Sequence, residues 1–254
     1  MTDLRQLKIT ALPEVPLIQK DDALDQMILE GLQRAGLTLQ TGDAVVVTSK
    51  IVSKSEGRQF DLRAVEPSAQ AFELAEQTGK DPRIVELVLQ EAQSVSRVGS
   101  GVLVVQHRLG FISANGGIDQ SNVDGDDNHV LLLPLDPDAS AERLRQALRD
   151  QTGAEVGVVI SDSHGRPFRM GNVGVAIGVA GLPALLDLRG NEDLFGRVLK
   201  ISMQGYADMV ASAANLLTGE GSEGRPIVHL RGLEFAPVEG HASELNRPAQ
   251  QSLY

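Results

Sequence analysis

The chain has 254 residues, 42% of them hydrophobic, enough to bury the core of one large domain or of two intertwined ones. A formal net charge of −11 excludes a nonspecific nucleic-acid binder or a protein that docks on anionic membrane, so an anionic substrate needs a local Lys and Arg cluster or a metal to hold it. Cysteine and tryptophan are absent and aromatic residues make up 3%, which removes disulfides, zinc–thiolate sites, thiol nucleophiles and base-stacking platforms.

The N-terminal stretch MTDLRQLKITALPEV has no apolar leader core, and no apolar run approaches the ~18 residues of a membrane span, so a soluble cytoplasmic protein is expected. Residues 8–12 are predicted as a short strand, stopped by Pro13 and Pro16. Asp22 is placed to cap a helix through Leu32, with Leu24, Ile28, Leu29 and Leu32 on one face. Gly42 and Asp43 open an apolar strand over residues 44–48. Pro67 and Ser68 start a helix with Ala69, Phe72 and Ala75 inward, and Asp81-Pro82 starts another that reaches about Val95. Residues 98–106 and 109–114 read as strands around a turn. Ser140 begins a helix through Arg149, and residues 155–161 lack alternation, as a strand buried on both faces does. Residues 171–180, GNVGVAIGVA, form an apolar strand whose glycines mark close backbone approach or a bulge. A long helix is expected from Asp193 or Gly196 to Leu217, with Met203, Ala207, Val210 and Ala214 at helical spacing, and a closing strand over 227–230. Residues after Gly240 read as a polar, poorly ordered tail. Strands and helices do not alternate strictly, so the predicted class is α+β with a mixed sheet rather than a doubly wound one.

Four segments concentrate chemistry. In VVISDSHGRPFR (158–169) an apolar run ends in Asp162 and Ser163, turns at Gly165 and presents Arg166 and Arg169. Oxygen ligands at a strand end suit Mg²⁺ or Mn²⁺, and guanidinium groups clamp carboxylate or phosphate; a strand entering a polar turn is the plainer alternative. Ser49, Lys50, Lys54 and Arg58 follow the strand at 44–48, either as phosphate holders or as a solvated basic face. FISANGGIDQSNVDGDD (111–127) offers Asp119 as a hard-metal ligand and Asn122 as a base or ribose contact, or is an Asn/Gly turn. Its acids Asp124, Asp126 and Asp127 lack the spaced Glu and flanking helices of an EF-hand. TGEGSEGRP (218–226) either turns backbone amides toward an anion, with Glu220 for a metal and Arg225 for a phosphate, or is a flexible loop. No GxxxxGK[ST] occurs, and the five histidines have no zinc spacing; only His164 falls in a segment of interest.

Taken together, six segments resemble the coenzyme F420-0:L-glutamate ligase family: VPLI (15–18), GDAVVVTSKIVSKSEGR (42–58), ISANGGIDQSNV (112–123), LLPLDPD (132–138), VVISDSHGRPFRMGNVGVAIG (158–178) and ANLLTGEGSEGRP (214–226). Each is weak alone, but they stand in family order across most of the chain, at the length of the single-module form. The resemblance implies a mixed-sheet α+β fold of two intertwined subdomains, dimeric, with a ligase domain over 1–240 and the tail over 241–254. It implies an enzyme that joins L-glutamate to the terminal carboxylate of a deazaflavin phosphoester, coenzyme F420-0, with GTP as co-substrate and a divalent metal, Mg²⁺ or Mn²⁺, potassium being a further candidate ion.

By motif position the resemblance implies Asp119, Asp162, Ser163 and Glu220 as metal ligands. The GTP contacts it implies are Val15, Pro16, Leu17, Ile18, Ser49, Lys50, Lys54, Asn122, Thr218, Gly219, Glu220, Gly221, Ser222, Glu223, Gly224 and Arg225. Phosphorylating a carboxylate makes it an acyl donor, and Lys54 with the metal would offset the charge at the transferring phosphoryl group. Arg166 and Arg169 are candidates for holding substrate carboxylates, and His164 for the base. Ser163 replaces the usual Thr, His164 and Phe168 replace Phe and Trp, Gly116 replaces Ala, and Met209 stands where the family helix often carries a second acid. Those departures leave open a paralogue acting on another phosphorylated acid, and a nucleotide- or deazaflavin-binding protein without catalysis.

Overall fold

The computed structural model describes residues 4–123 and 126–251, so Asp124 of the acidic run and the end of the tail lie outside the described residues. Strands and helices follow in chain order: β1 (Lys8–Ala11), α1 (Leu24–Arg34), β2 (Ala44–Thr48), α2 (Ser49–Ser55), β3 (Gln59–Asp61), α3 (Ala69–Thr78), α4 (Pro82–Glu91), β4 (Ala92–Gly99), β5 (Val102–His107) and β6 (Ile112–Ala114). They continue with β7 (His129–Leu131), α5 (Pro137–Thr152), β8 (Gly157–Arg166), β9 (Arg169–Ala180), β10 (Leu185–Asp187), β11 (Met203–Gly205), α6 (Tyr206–Thr218) and β12 (Ile227–Arg231).

The main sheet has the order β1-β12-β2-β8-β9, with β2 and β8 parallel and the other pairs antiparallel. It is the mixed sheet of an α+β fold, as the order of predicted strands and helices implies. Both faces are covered. Val45, Val47, Val158 and Ile160 pack with Ile28 and Leu32 of α1 and Leu144 and Leu148 of α5, while Val46, Val159 and Val228 pack with Val210, Ala211 and Ala214 of α6. That two-sided burial is why β2 and the first half of β8 read as unbroken apolar runs. A smaller layer packs Ala71, Leu74, Val85 and Val88 of α3 and α4 on Leu103 and Val105 of the β4-β5-β6 sheet, beside the β3-β7 ribbon.

The glycines of β9 have both meanings expected of them. A Cβ on Gly174 would stand 2.6 Å from the carbonyl oxygen of Ala211, and one on Gly178 would stand 2.3 Å from that of Pro137, so α6 and α5 sit directly on the strand. The β8-β9 register also shifts between Ile160 and Ser161, where buried residues give way to polar ones. β9 is an edge strand. Two of its N–H groups, at Ala176 and Val179, donate instead to Asp208 Oδ1 and Asp138 Oδ1, each at 2.8 Å.

A buried charge cluster joins the smaller layer to the rest. Arg58 donates to Glu91 at 2.8 Å and to the Leu133 carbonyl at 2.9 Å; Arg108 reaches Glu91 at 3.0 Å and the carbonyls of Pro134 and Leu135. His107, fully buried, stands 3.4 Å from Glu91 and is stacked on Phe111.

Several expectations are corrected. Asp22 does not cap α1; its carboxylate accepts the Gln19 N–H, and Ala23 precedes the helix without a side-chain cap. The inward face of α3 is Ala71, Leu74, Ala75 and Thr78, leaving Ala69 and Phe72 exposed. α4 ends at Glu91 because the next residues pair with β5, and the 98–106 strand is broken by the turn at Ser100-Gly101. α5 starts at Pro137, capped by Asp136, ahead of Ser140. β8 does not turn at Gly165: it runs to Arg166, which pairs with Arg169 around Pro167-Phe168, with Phe168 at φ +57°. The helix expected from 193 begins only at Tyr206, and Met203 lies in β11. The described tail is tied down rather than loose: Ala242 donates to Asp138 and Asn246 to the Leu109 carbonyl.

Candidate active site

Topology brings the chemistry-bearing segments to one end of the main sheet. β2 and β8 run parallel with Thr48 opposite Ser161, so the next residues, Ser49 and Asp162, arrive side by side and Ser49 Oγ donates to Asp162 Oδ1 at 2.9 Å. β12 runs antiparallel to β2, and the Thr48 N–H donates to the Pro226 carbonyl, so the glycine loop between α6 and β12 opens at the same end. β1 pairs antiparallel with β12, which delivers residues 15–18 there as well. The fourth segment, residues 115–122, is anchored by the Asp119–Leu131 backbone pair and crosses from the smaller layer. Asn122 Nδ2 donates to the Gly221 carbonyl at 3.1 Å, joining this strap to the glycine loop.

Between them lies a cavity of about 1090 Å³. That exceeds the range of a single small-molecule pocket, roughly 300–1,000 Å³. Its lining includes Val15, Pro16, Leu17, Ile18, Ser49, Lys50, Asp119, Asn122, Asp162, Ser163, Arg166, Arg169, Thr218, Gly219, Glu220, Gly221, Ser222, Gly224 and Arg225. Two expected contacts are not in the lining. Lys54 stands one turn of α2 beyond Lys50, roughly 5.4 Å further from the strand end, and Glu223 folds back to accept the Gly221 N–H at 2.8 Å.

The cavity lining carries both acidic and basic side chains. Asp119, Asp162 and Glu220 lie close enough to interact electrostatically beside one ammonium: Lys50 Nζ is 3.2 Å from Asp119 Oδ2 and donates to Ser121 Oγ at 3.0 Å. Burial pushes the Asp119 carboxyl above its ordinary range and the charges of Asp162 and Glu220 push it further, against the pull of Lys50. Ser163 Oγ donates to Glu220 Oε1 at 2.5 Å, and Asn215 Nδ2 approaches the same oxygen at 3.3 Å. Arg166, Arg169 and Arg225 also line the cavity, and among the described residues none of the three forms an ion pair. The Arg166 Nε is buried without a hydrogen-bond partner.

The acidic cluster suits a hard divalent cation: its donors are carboxylate and hydroxyl oxygens, and their mutual repulsion leaves the site short of positive charge. The acids come from three separate segments, and among the described residues no three His, Asp or Glu side chains form a preassembled metal cluster. Asp208 faces elsewhere in role: its carboxylate holds the Ala176 N–H of β9, and burial raises its pKa.

The chain matches the family described as F420-0:Gamma-glutamyl ligase over residues 13–232. It belongs to that family. Among its relatives are proteins named coenzyme F420:L-glutamate ligase. That of Methanopyrus kandleri is 45% identical over 92% of this chain and 90% of its own length; that of Methanothermobacter thermautotrophicus is 43% identical over 94% and 95%. A third, from Methanocaldococcus jannaschii, is 43% identical over 85% and 86%.

Three features of this family member escaped its sequence. The Ser49–Asp162 and Lys50–Asp119 contacts join residues far apart in the chain, and His164 Nε2 lies 3.0 Å from Asp162 Oδ2. Asn215 had a local signal, standing one turn before Thr218 on the last turn of α6; Thr218 Oγ1 donates to its side-chain oxygen at 2.8 Å. Among the described residues no helix is long and apolar enough to cross a membrane.

Proposed function

We propose that this protein is a ligase that forms an amide between L-glutamate and the terminal carboxylate of coenzyme F420-0, with GTP as phosphoryl donor and a divalent ion, Mg²⁺ or Mn²⁺. The observation that carries the reading is the mixed lining of one cavity: three acids beside one lysine, and three arginines that form no ion pair among the described residues. In a chain of net charge −11, three cavity arginines without a carboxylate partner among the described residues suit anionic ligands. The names of the relatives supply the substrate pair.

Asp119, Asp162, Ser163 and Glu220 would hold the ion, which when bound neutralises phosphate charge as a Lewis acid. A carboxylate oxygen of the acceptor attacks the γ-phosphorus of GTP, the bond from that phosphorus to the β–γ bridging oxygen breaks, and GDP leaves with the electron pair. The glutamate amine then attacks the acyl carbon, the carbon–oxygen bond to phosphate breaks, and the amine proton passes to solvent or a nearby base. Ser49, Lys50, Asn122 and the glycine loop hold the nucleotide, while Arg166 and Arg169 hold substrate carboxylates and exclude amines lacking them. Lys54 stands outside the cavity lining.

The same reading includes a homodimer. Between β10 and β11 the chain makes an excursion that exposes Leu194 (98%), Phe195 (86%) and Ile201 (87%), an apolar surface suited to a second copy.

The test is to incubate the purified chain with GTP, Mn²⁺, glutamate and F420-0, following GDP release and the mass of the deazaflavin. The expected gain is one or more glutamyl units matched by GDP, and Asp162→Asn should stop GDP formation with the melting temperature unchanged. GDP formed only with a different acid would move the protein to a paralogous substrate; full activity in Asp162→Asn would refute the metal assignment.

A further inference from the structure

We infer that His164 is a positioning residue that fixes the orientation of the Asp162 carboxylate for the divalent ion; this rests on the metal reading above. The two Asp162 oxygens have different partners. Oδ1 accepts from Ser49 Oγ at 2.9 Å, and Oδ2 lies 3.0 Å from His164 Nε2. An ionised carboxylate has no proton to give, so Nε2 is the protonated ring nitrogen and donates. With a donor on each oxygen, the carboxylate cannot rotate about Cβ–Cγ without losing both bonds, yet each oxygen keeps a lone pair for a cation.

The imidazole is itself held. Phe111 packs on it with ring centroids 4.9 Å apart and planes tilted by 57°, and Phe111 lies stacked on His107 at 5.1 Å and 3°. His107 is fully buried and stands 3.4 Å from Glu91 in the charge cluster of the smaller layer. A column of side chains thus braces His164 from outside the cavity, and the ring braces Asp162 inside it. Partners that orient a ligand in this way typically set metal affinity by about 10- to 100-fold.

The test titrates Mn²⁺ into the nucleotide-free full chain, reading free Mn²⁺ by electron paramagnetic resonance, for wild type, His164→Phe, His164→Met and His164→Gln. Phe keeps a ring of similar volume and Met an unbranched chain, neither with an N–H; Gln places an amide N–H the same number of bonds from Cβ as Nε2. His164→Phe and His164→Met should bind Mn²⁺ about 10-fold more weakly or worse at an unchanged melting temperature. His164→Gln should recover most of the loss. In turnover the Phe variant should need more Mn²⁺ for half-maximal rate, and the Gln variant should return that requirement toward wild type. If the Phe variant does not fold, the Gln and Met pair makes the same comparison. Wild-type affinity without the donor, or a Gln variant as weak as Met, overturns the positioning role and leaves the metal reading standing. A wild-type chain that binds no Mn²⁺ overturns both.

Discussion

Replacing Glu91 by Gln separates the worth of the buried charge cluster from that of the packing around it. The Glu91 side chain is 8% exposed, with Arg58 at 2.8 Å and Arg108 at 3.0 Å. Burial acts to raise its carboxyl, but His107 and the two guanidinium groups outweigh burial and hold it at about 2, against 4.5 for an ordinary Glu. A carboxyl that titrates near 2 when folded and near 4.5 when unfolded contributes roughly 3 kcal/mol at pH 7. The sign follows from the depressed folded value: the contribution is complete above 4.5 and is lost as the pH falls toward 2. Between pH 7 and pH 3 it should shrink by roughly 2 kcal/mol. Glu91→Gln should therefore lose about 3 kcal/mol or more at pH 7, because two largely buried guanidinium groups lose their partner. The deficit relative to wild type should narrow to about 1 kcal/mol at pH 3. Urea unfolding of both proteins at the two pH values measures it, provided their m values agree. An equal deficit at both pH values, or none at pH 7, would refute the electrostatic account.

Gly178→Ala should destabilise the fold by about 2 kcal/mol or more, since its Cβ would stand 2.3 Å from the Pro137 carbonyl oxygen at the start of α5. An unchanged urea midpoint would show that the strand and helix can separate without cost. The double variant Leu194→Asp, Phe195→Asp should sediment as a monomer while the wild type sediments as a dimer; a monomeric wild type would sink the proposed role of the arm.

The central sheet and the site loops were legible because their signals are local. Valine runs ending in Thr48-Ser49 and Ser161-Asp162 marked strands entering polar ground, and the clustered glycines of 218–225 marked a loop. The helix expected from 193 failed for a definable reason: Leu194, Val198 and Ile201 imitate a helical face, but they form the exposed arm, and Gly205 precedes the true start. The α4-β4 boundary carries no Gly or Pro; it is set by pairing with β5, which a local pattern does not report. The same limit hid the site's internal contacts. Ser49 and Asp162 are 113 residues apart, and only the parallel register of β2 and β8 makes them neighbours.

The carboxylates that take up the Ala176 and Val179 N–H groups have a bearing on assembly. An edge strand of twelve residues is a template on which a foreign strand could grow, extending the sheet from one molecule into the next. With Asp208 and Asp138 seated on those donors, strand addition at β9 would have to strip two hydrogen bonds and set an incoming backbone against negative charge. Growth of the sheet from one molecule into the next is thereby opposed at this edge.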